Sequence, residues 1–283
     1  MANKGKTILI TGCSTGIGKA LAIEFHNKGH RVFAASRTVS SLKSLAEIGI
    51  EIIQLDPTNA DSIYNARSEI SKQTDGKLDI LINNAGQWIE SPAIEVDLDR
   101  VKDMFDVNVF AVMEMNKQFI PLLIAAKGTI VNHGSILRNM PHPMTAAYNA
   151  SKAALAQYST TLRLELAPLD VKVVELVTGR VATGLVTLPT LANTSIYKPL
   201  EPAVQKRARE AETMQPTNVF AKAVVKDILS SSHREISRGK MATLGWVITT
   251  FFPTWAWDPV MNSSSGLKEF REPILRRALD LKK

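Results

Sequence analysis

Thr11-Gly12-Cys13-Ser14-Thr15-Gly16-Ile17-Gly18 is the stretch on which the reading of this chain turns. An apolar run at residues 7–10 precedes it, and Ala20, Leu21, Ile23 and Phe25 recur at helical spacing after it, so it spells strand, tight turn, helix. Bare backbone at glycines 12, 16 and 18 permits the turn and lets a diphosphate approach the first amides of the helix. Thr11, Ser14, Thr15 and Ile17 complete the candidate loop. A rival reading uses the same letters. Gly12-Cys13-Ser14-Thr15-Gly16 also matches the Gly-x-Ser-x-Gly elbow of serine hydrolases, with His133, His142 and His233 downstream as bases, so esterase or lipase chemistry at Ser14 stays open here.

Outward from this turn, short apolar runs alternate with longer helical patterns. Strands are expected at residues 7–10, 31–36, 51–54, 80–83, 128–133 and 172–177, with a helix over 59–74. Right-handed crossovers wind such units into an α/β fold, a doubly wound parallel sheet with ligands beyond the strands' carboxyl ends. The second strand ends Ser36-Arg37 without an acid for an adenosine ribose, while Arg37 can meet a 2′-phosphate. NADPH/NADP+ is therefore favoured over NAD, although an arginine in solvent at a strand end reads the same way. Asp56 fits two roles equally, an adenine contact or a capping turn before the next helix.

Tyr148 and Lys152 stand four residues apart in Ala-Ala-Tyr148-Asn-Ala-Ser-Lys152, a spacing that puts a phenol and an ammonium on one helix face. A fixed cation makes a tyrosine a usable proton carrier. Ser135, after the run from Gly128, offers a second hydroxyl to the same carbonyl oxygen.

The chain is 283 residues long with 45% hydrophobic content, enough for one large core; residues 1–240 read as one catalytic domain. Residues 184–218, punctuated by Pro189, Pro199, Pro202 and Pro216, look like an irregular lid. Leu185, Val186, Leu188, Leu191, Ile196 and Tyr197 there suit an apolar pocket or the core, and Lys198, Lys206, Arg207 and Arg209 suit a substrate phosphate or a solvated helix face. Residues 241–283 form a C-terminal extension rich in aromatics, and 241–261 is broken by threonines and Pro253, so it is read as lying on a lipid surface, the domain or a partner rather than spanning a membrane. The net charge of +7 lacks a basic stripe with interleaved aromatics, which argues against nucleic acid. One cysteine, Cys13, excludes an internal disulfide, and the polar start carries no secretory pattern. The expected place is the cytoplasm, with peripheral contact at an endoplasmic reticulum or lipid-droplet surface. The expected partners are a small-molecule ketone or alcohol and further copies of the chain.

Thr11-Gly-x-x-x-Gly16-Ile-Gly18, Asn83-Asn84-Ala85-Gly86, Asn108, Ser135 and Tyr148-x-x-x-Lys152, in this order, make the chain resemble the short-chain dehydrogenase/reductase family from about residue 4 to 238. That resemblance implies a Rossmann-type fold and a reversible, NADP-dependent carbonyl reduction. It makes Tyr148 the acid/base, Ser135 the group that orients the carbonyl, and Lys152 the holder of the nicotinamide ribose that lowers the tyrosine pKa. It gives Asn108 a proton-relay water, although a purely structural asparagine fits too. Asn83, Ala85 and Gly86 would wall the adenosine side, and Val181 and Thr183 the carboxamide. Within the family the chain looks like fungal-type NADPH-dependent 1-acyldihydroxyacetone phosphate reductases, which suggests a lipid-like ketone; related reductases acting on secondary metabolites, and an NADP-binding regulator without chemistry, stay open. Thr178 stands where the family usually has proline, and His133 and Gly134 are unusual before Ser135.

Overall fold

Apolar runs become strands and amphipathic segments become helices in the computed structural model, which describes residues 5–184, 188–210, 214–230 and 234–280. In chain order the first half holds β1 (Thr7–Thr11), α1 (Gly16–Asn27), β2 (Arg31–Ser36), α2 (Lys43–Ala46), β3 (Glu51–Gln54), α3 (Ala60–Gln73), β4 (Ile80–Asn83), α4 (Leu98–Phe105), α5 (Ala111–Ala126) and β5 (Thr129–Ser135). The second half holds α6 (Ala146–Leu166), β6 (Lys172–Thr178), β7 (Val181–Ala182), α7 (Glu201–Glu210), β8 (Gln215–Pro216), α8 (Thr217–Ser230), β9 (Glu235–Arg238), α9 (Ala242–Phe251), α10 (Asp258–Ser265) and α11 (Arg271–Asp280).

Seven parallel strands lie in the order β3-β2-β1-β4-β5-β6-β9. The order reverses at β1, whose Leu9 faces Phe33 of β2 on one side and Leu81 of β4 on the other. Crossovers leave in both directions there, and a crevice opens beyond the carboxyl ends. One face buries Leu21 and Phe25 of α1 against Phe220 and Val224 of α8. Ile63 and Ile70 of α3 and Phe119 and Leu123 of α5 cover the other. Helix 98–126 is long and apolar enough by composition to cross a membrane, but residues such as Met115 and Phe119 are spent on this core.

Three expectations need correction. First, β1, β5 and β6 run one or two residues further than expected, which makes Ser135 the last residue of its strand and pairs it with Thr178. Second, β9 was not foreseen, because Glu235-Ile-Ser-Arg238 buries Ile236 alone and carries no apolar run. Third, the 184–218 segment is more regular than expected: it contains α7 and β8, which pairs with β7, and it runs into α8 at Thr217. Two of its prolines start structure rather than end it. Pro199 and Pro202 occupy first-turn positions, where the missing amide would have no partner anyway. Leu185 and Val186 lie outside the described residues.

Residues 241–280 pack back on the domain. Trp257, 1% exposed, and Met261 close over Ile136, Met140 and Val177, while Leu267 and Phe270 cover Leu200 and Val204 of the α7 region. Trp246, Phe251, Phe252 and Trp255 remain exposed, and α9 is ten residues long, too short to span a bilayer. Replacing Trp257 with Ala removes the anchor of this extension, a change worth about 3–5 kcal/mol for a buried tryptophan. Limited proteolysis should then cut beyond residue 240 while the sheet domain survives; an unchanged digestion pattern would contradict the anchoring role.

Candidate active site

α6 begins at Ala146, and its twenty-one residues are rich in alanine and leucine, good helix formers with no glycine or proline to break them. The helix lies against β5 and β6, and this docking brings Tyr148, Lys152 and Ser135 together. They are 7%, 6% and 7% exposed. The Ser135 hydroxyl is near enough to the Tyr148 phenol to oppose the rise in its pKa, and its Oγ accepts from the Leu137 amide at 3.1 Å. Lys152 Nζ donates to the His133 carbonyl at 2.7 Å and stands 5.7 Å from the centre of the Tyr148 ring.

Burial dominates the electrostatics. It pushes the phenol up to about 12 against the Ser135 hydroxyl, and the Lys152 amine down to about 8 against the charge of Glu175. The sequence led us to expect an ammonium that acidifies the phenol directly. In this arrangement its hydrogen bond goes to a backbone carbonyl and desolvation outweighs it, so Tyr148 is a protonated acid at neutral pH.

Both unusual residues before Ser135 acquire partners. Asn84 donates through Nδ2 to the carbonyls of Thr11 and Gly12, which leaves its Oδ1 to accept from Nδ1 of His133 at 2.9 Å. Nε2 of the same ring therefore accepts from the Thr178 hydroxyl at 2.7 Å. Burial, with Lys152 adding, pushes His133 down to about 3, so the ring stays neutral and this donor pattern is fixed. Thr178, the departure from proline, is the donor that His133 needs. Gly134 is explained likewise: a Cβ there would stand 2.3 Å from Oε1 of Glu175, whose carboxylate pairs with Arg138. Burial pushes Glu175 up to about 7, Arg138 opposing and Glu235 adding.

Asn108 sits in a π-turn, Asp106–Phe110, between α4 and α5. Its amide joins both backbone groups of Gln87 (2.8 and 3.0 Å) to the Ser151 hydroxyl (3.1 Å), tying the loop after β4 to α6 beside Lys152. It bridges a loop and a helix.

The glycine turn has the shape a diphosphate requires. Gly12 and Gly16 adopt positive φ, and a Cβ at Gly18 would stand 2.4 Å from the Gly12 carbonyl. Thr15 caps α1 without a side-chain hydrogen bond, no acid occupies the first turn, and Ser14 and Ile17 flank the turn half-buried. An anion therefore meets an uncompensated helix terminus. Thr183, after Val181 in β7, lies against Gly16. Thr11 is buried, and its hydroxyl accepts from the amides of Asn84 and Ala85 at 3.0 Å, holding Ala85 and Gly86 beside the turn. Arg37 is exposed at the end of β2 with no side-chain partner among the described residues, and Ser36 hydrogen-bonds Ser41. Asp56 Oδ1 accepts from the Thr58 amide and hydroxyl, a capping turn, and Asn59 caps α3. Asn83 stands apart from the crevice: its amide donates to Asn116 and Asn132 inside the core.

The hydrolase elbow finds no base among the described residues. Both ring nitrogens of His133 are committed to Asn84 and Thr178, and Nδ1 of His142 faces the Pro143 carbonyl and the Thr145 hydroxyl. His233 lies outside the described residues. Cys13, beside Ser14, is fully buried, and burial pushes its thiol up to about 12. Sequence reading missed Trp88, whose ring packs tilted against that of Tyr148 with centroids 4.5 Å apart. Its position just beyond Asn83-Asn84-Ala85-Gly86 was the available signal.

A family model described as short chain dehydrogenase matches residues 6–190. The NADPH-dependent 1-acyldihydroxyacetone phosphate reductase of Schizosaccharomyces pombe is 43% identical over 226 residues, 77% of this chain and 76% of that protein. A short-chain dehydrogenase of Talaromyces islandicus is 38% identical over 271 residues, 93% and 96% of the two chains. Among solved structures, a short-chain dehydrogenase from Streptomyces avermitilis superposes with a TM-score of 0.76 at 24% identity, covering 96% and 98% of the chains. One from Burkholderia cenocepacia in complex with NADP gives 0.73 at 25%, covering 92% and 99%.

Thr178→Val leaves the buried His133 Nε2 without a donor, and the variant should lose about 1–3 kcal/mol of stability in urea unfolding. Equal stability would show that the ring accepts no hydrogen bond there.

Proposed function

The chain belongs to the short-chain dehydrogenase/reductase family, and from that membership we propose that it is an NADPH-dependent reductase converting a lipid-like or secondary-metabolite ketone reversibly to a secondary alcohol. The observation that carries the reading is the buried set of Ser135, Tyr148 and Lys152 on the carboxyl edge of the sheet that also bears the glycine turn. The residues fit the cofactor. Gly12, Gly16 and Gly18 leave room for its diphosphate, the bare terminus of α1 faces that charge, and Arg37 is free for a 2′-phosphate. Relatives support it as well, one named NADPH-dependent and one solved in complex with NADP.

When bound, NADPH supplies the hydride. Tyr148, held protonated by burial, gives its proton to the carbonyl oxygen, and Ser135 donates to the same oxygen as charge develops. Lys152, fixed by the His133 carbonyl, keeps a positive charge beside the phenol and stabilises the phenolate left behind. Asn108 holds α6 and the loop after β4 in register around them. The lipid-like substrate is suggested by the Schizosaccharomyces pombe relative's name and by the apolar side chains of the α7 region.

Tyr148→Phe should lower turnover with a reducible ketone by at least ~100-fold while NADPH still binds, and undiminished turnover would overturn the assignment. NADPH binding without turnover across a broad ketone panel would instead favour a regulator. Oxidation of the product alcohol needs the phenolate, and with a phenol raised to about 12 its rate should climb about tenfold per pH unit from about pH 6 until it levels near 8, where Lys152 starts to lose the charge that stabilises the phenolate. A flat oxidation profile between about pH 6 and 8 would exclude Tyr148 as the base. Arg37→Glu should weaken NADPH far more than NADH, and an unchanged preference would remove it from the phosphate site.

A further inference from the structure

Trp88, packed tilted against Tyr148, leads along the loop after β4 to Glu90, which approaches Arg207 of α7. The nearest approach, Arg207 Nη2 to Glu90 Oε1, is 3.7 Å, too long for a hydrogen bond. The two side chains are 13% and 9% exposed, and all three guanidinium nitrogens of Arg207 are sequestered from solvent with no hydrogen-bond acceptor among the described residues. A guanidinium carries five N–H donors, and native structures seldom leave such a group buried and unbonded.

A second cation lies in the same neighbourhood. Arg180, beyond the end of β6, keeps part of its surface exposed, while burial of the rest pushes its guanidinium down against the charge of Glu210. It is close enough to push Arg207 further down after burial has done most of that work, against Glu90. His142, from the loop before α6, is pushed down to about 4 by burial and then by these two arginines, so it stays neutral and adds no charge. Burial also raises Glu90, against the attraction of Arg207. The wall beside Trp88 and Tyr148 thus carries two guanidinium charges, one of them with its donors unused, set against a carboxylate whose ionisation burial opposes.

We infer that Arg207, supported by Arg180, is an anion subsite for the reductase substrate and takes a carboxylate or phosphate carried by the ketone. The planar fork of Arg207 accepts such a group bidentately, and Glu90 holds the guanidinium in place without using its donors. This deepens the reductase reading and rests on it, because the subsite borders Tyr148 through Trp88.

Two measurements test it. In the first, inorganic phosphate is titrated at constant ionic strength into protein saturated with NADP+, so that the site near Arg37 is filled. The melting temperature of the parent protein should rise by about 3 °C at saturation and that of Arg207→Gln should not. An equal rise in the variant, or none in the parent, overturns the subsite. In the second, levulinate is compared with methyl levulinate, and dihydroxyacetone phosphate with dihydroxyacetone, as NADPH-dependent substrates. The parent should favour the anionic member by about 10–100-fold in kcat/KM, expressed in KM, and Arg207→Gln should shrink that ratio to within about threefold. Double substitution of Arg207 and Glu90 by glutamine removes both charges, guards against a misfolded single variant, and should shrink the ratio equally. An unchanged ratio in both variants overturns the inference. Failure of NADP+ to stabilise the parent at all overturns the reductase reading instead, and with it the substrate assignment.

Discussion

One buried contact organises this molecule: the Lys152 ammonium on the His133 carbonyl, 2.7 Å apart. It pins α6 to the carboxyl end of β5, and everything placed relative to that joint inherits its geometry. Tyr148 lies one turn back along the same helix face, Ser135 two residues on along the same strand, and Ser151 next to Lys152 receives the amide of Asn108. Desolvation at this joint acts on both titrating groups in opposite senses, raising the phenol and lowering the amine. A charged hydrogen bond to a carbonyl is among the stronger interactions a protein makes, and it offsets part of the cost of placing an amine where water is excluded.

The joint also explains why unusual residues can occupy usual places. His133 supplies its carbonyl to Lys152, one ring nitrogen to Asn84 and the other to Thr178. Because Asn84 also holds the carbonyls of Thr11 and Gly12, one neutral imidazole links the glycine turn, β5 and the end of β6. His133 and Thr178 are complementary changes: each would leave a buried polar atom unpaired without the other. Gly134 and Glu175 form a second such pair, in which the missing side chain of one makes room for the carboxylate of the other. Arg138 then clamps Glu175 and Glu235 together, joining the turn after β5 to β6 and β9.

Beyond the sheet's carboxyl edge, the surrounding packing is assembled from distant pieces. Trp88 comes from the loop after β4, Ile136 and Met140 from the turn after β5, Val204 and Arg207 from α7, and Trp257 from the C-terminal extension. The extension reaches over the α7 region, where Arg277 Nε donates to the Ser195 carbonyl at 2.6 Å. Arg207 could read as a member of a solvated basic face, yet its guanidinium is buried against Glu90, while Lys206 and Arg209 beside it do remain exposed. A helix face in a segment of weak hydrophobic pattern cannot be oriented until its neighbours are known.

Local pattern alone determined the parallel sheet, the glycine turn, and the pairing of Tyr148 with Lys152, because strand and helix periods and glycine's conformational freedom are properties of adjacent residues. It also exposed the odd letters at 133, 134 and 178 without saying what they do. Tertiary structure decided the rest. Whether Ser14 faces a histidine, whether Asn83 looks into the crevice or the core, and which way burial moves the Tyr148 phenol all depend on groups tens of residues away. The short β9 and the proline-started α7 escaped sequence reading for the same reason: long-range packing stabilises them, and their own residues carry too little periodicity to announce it.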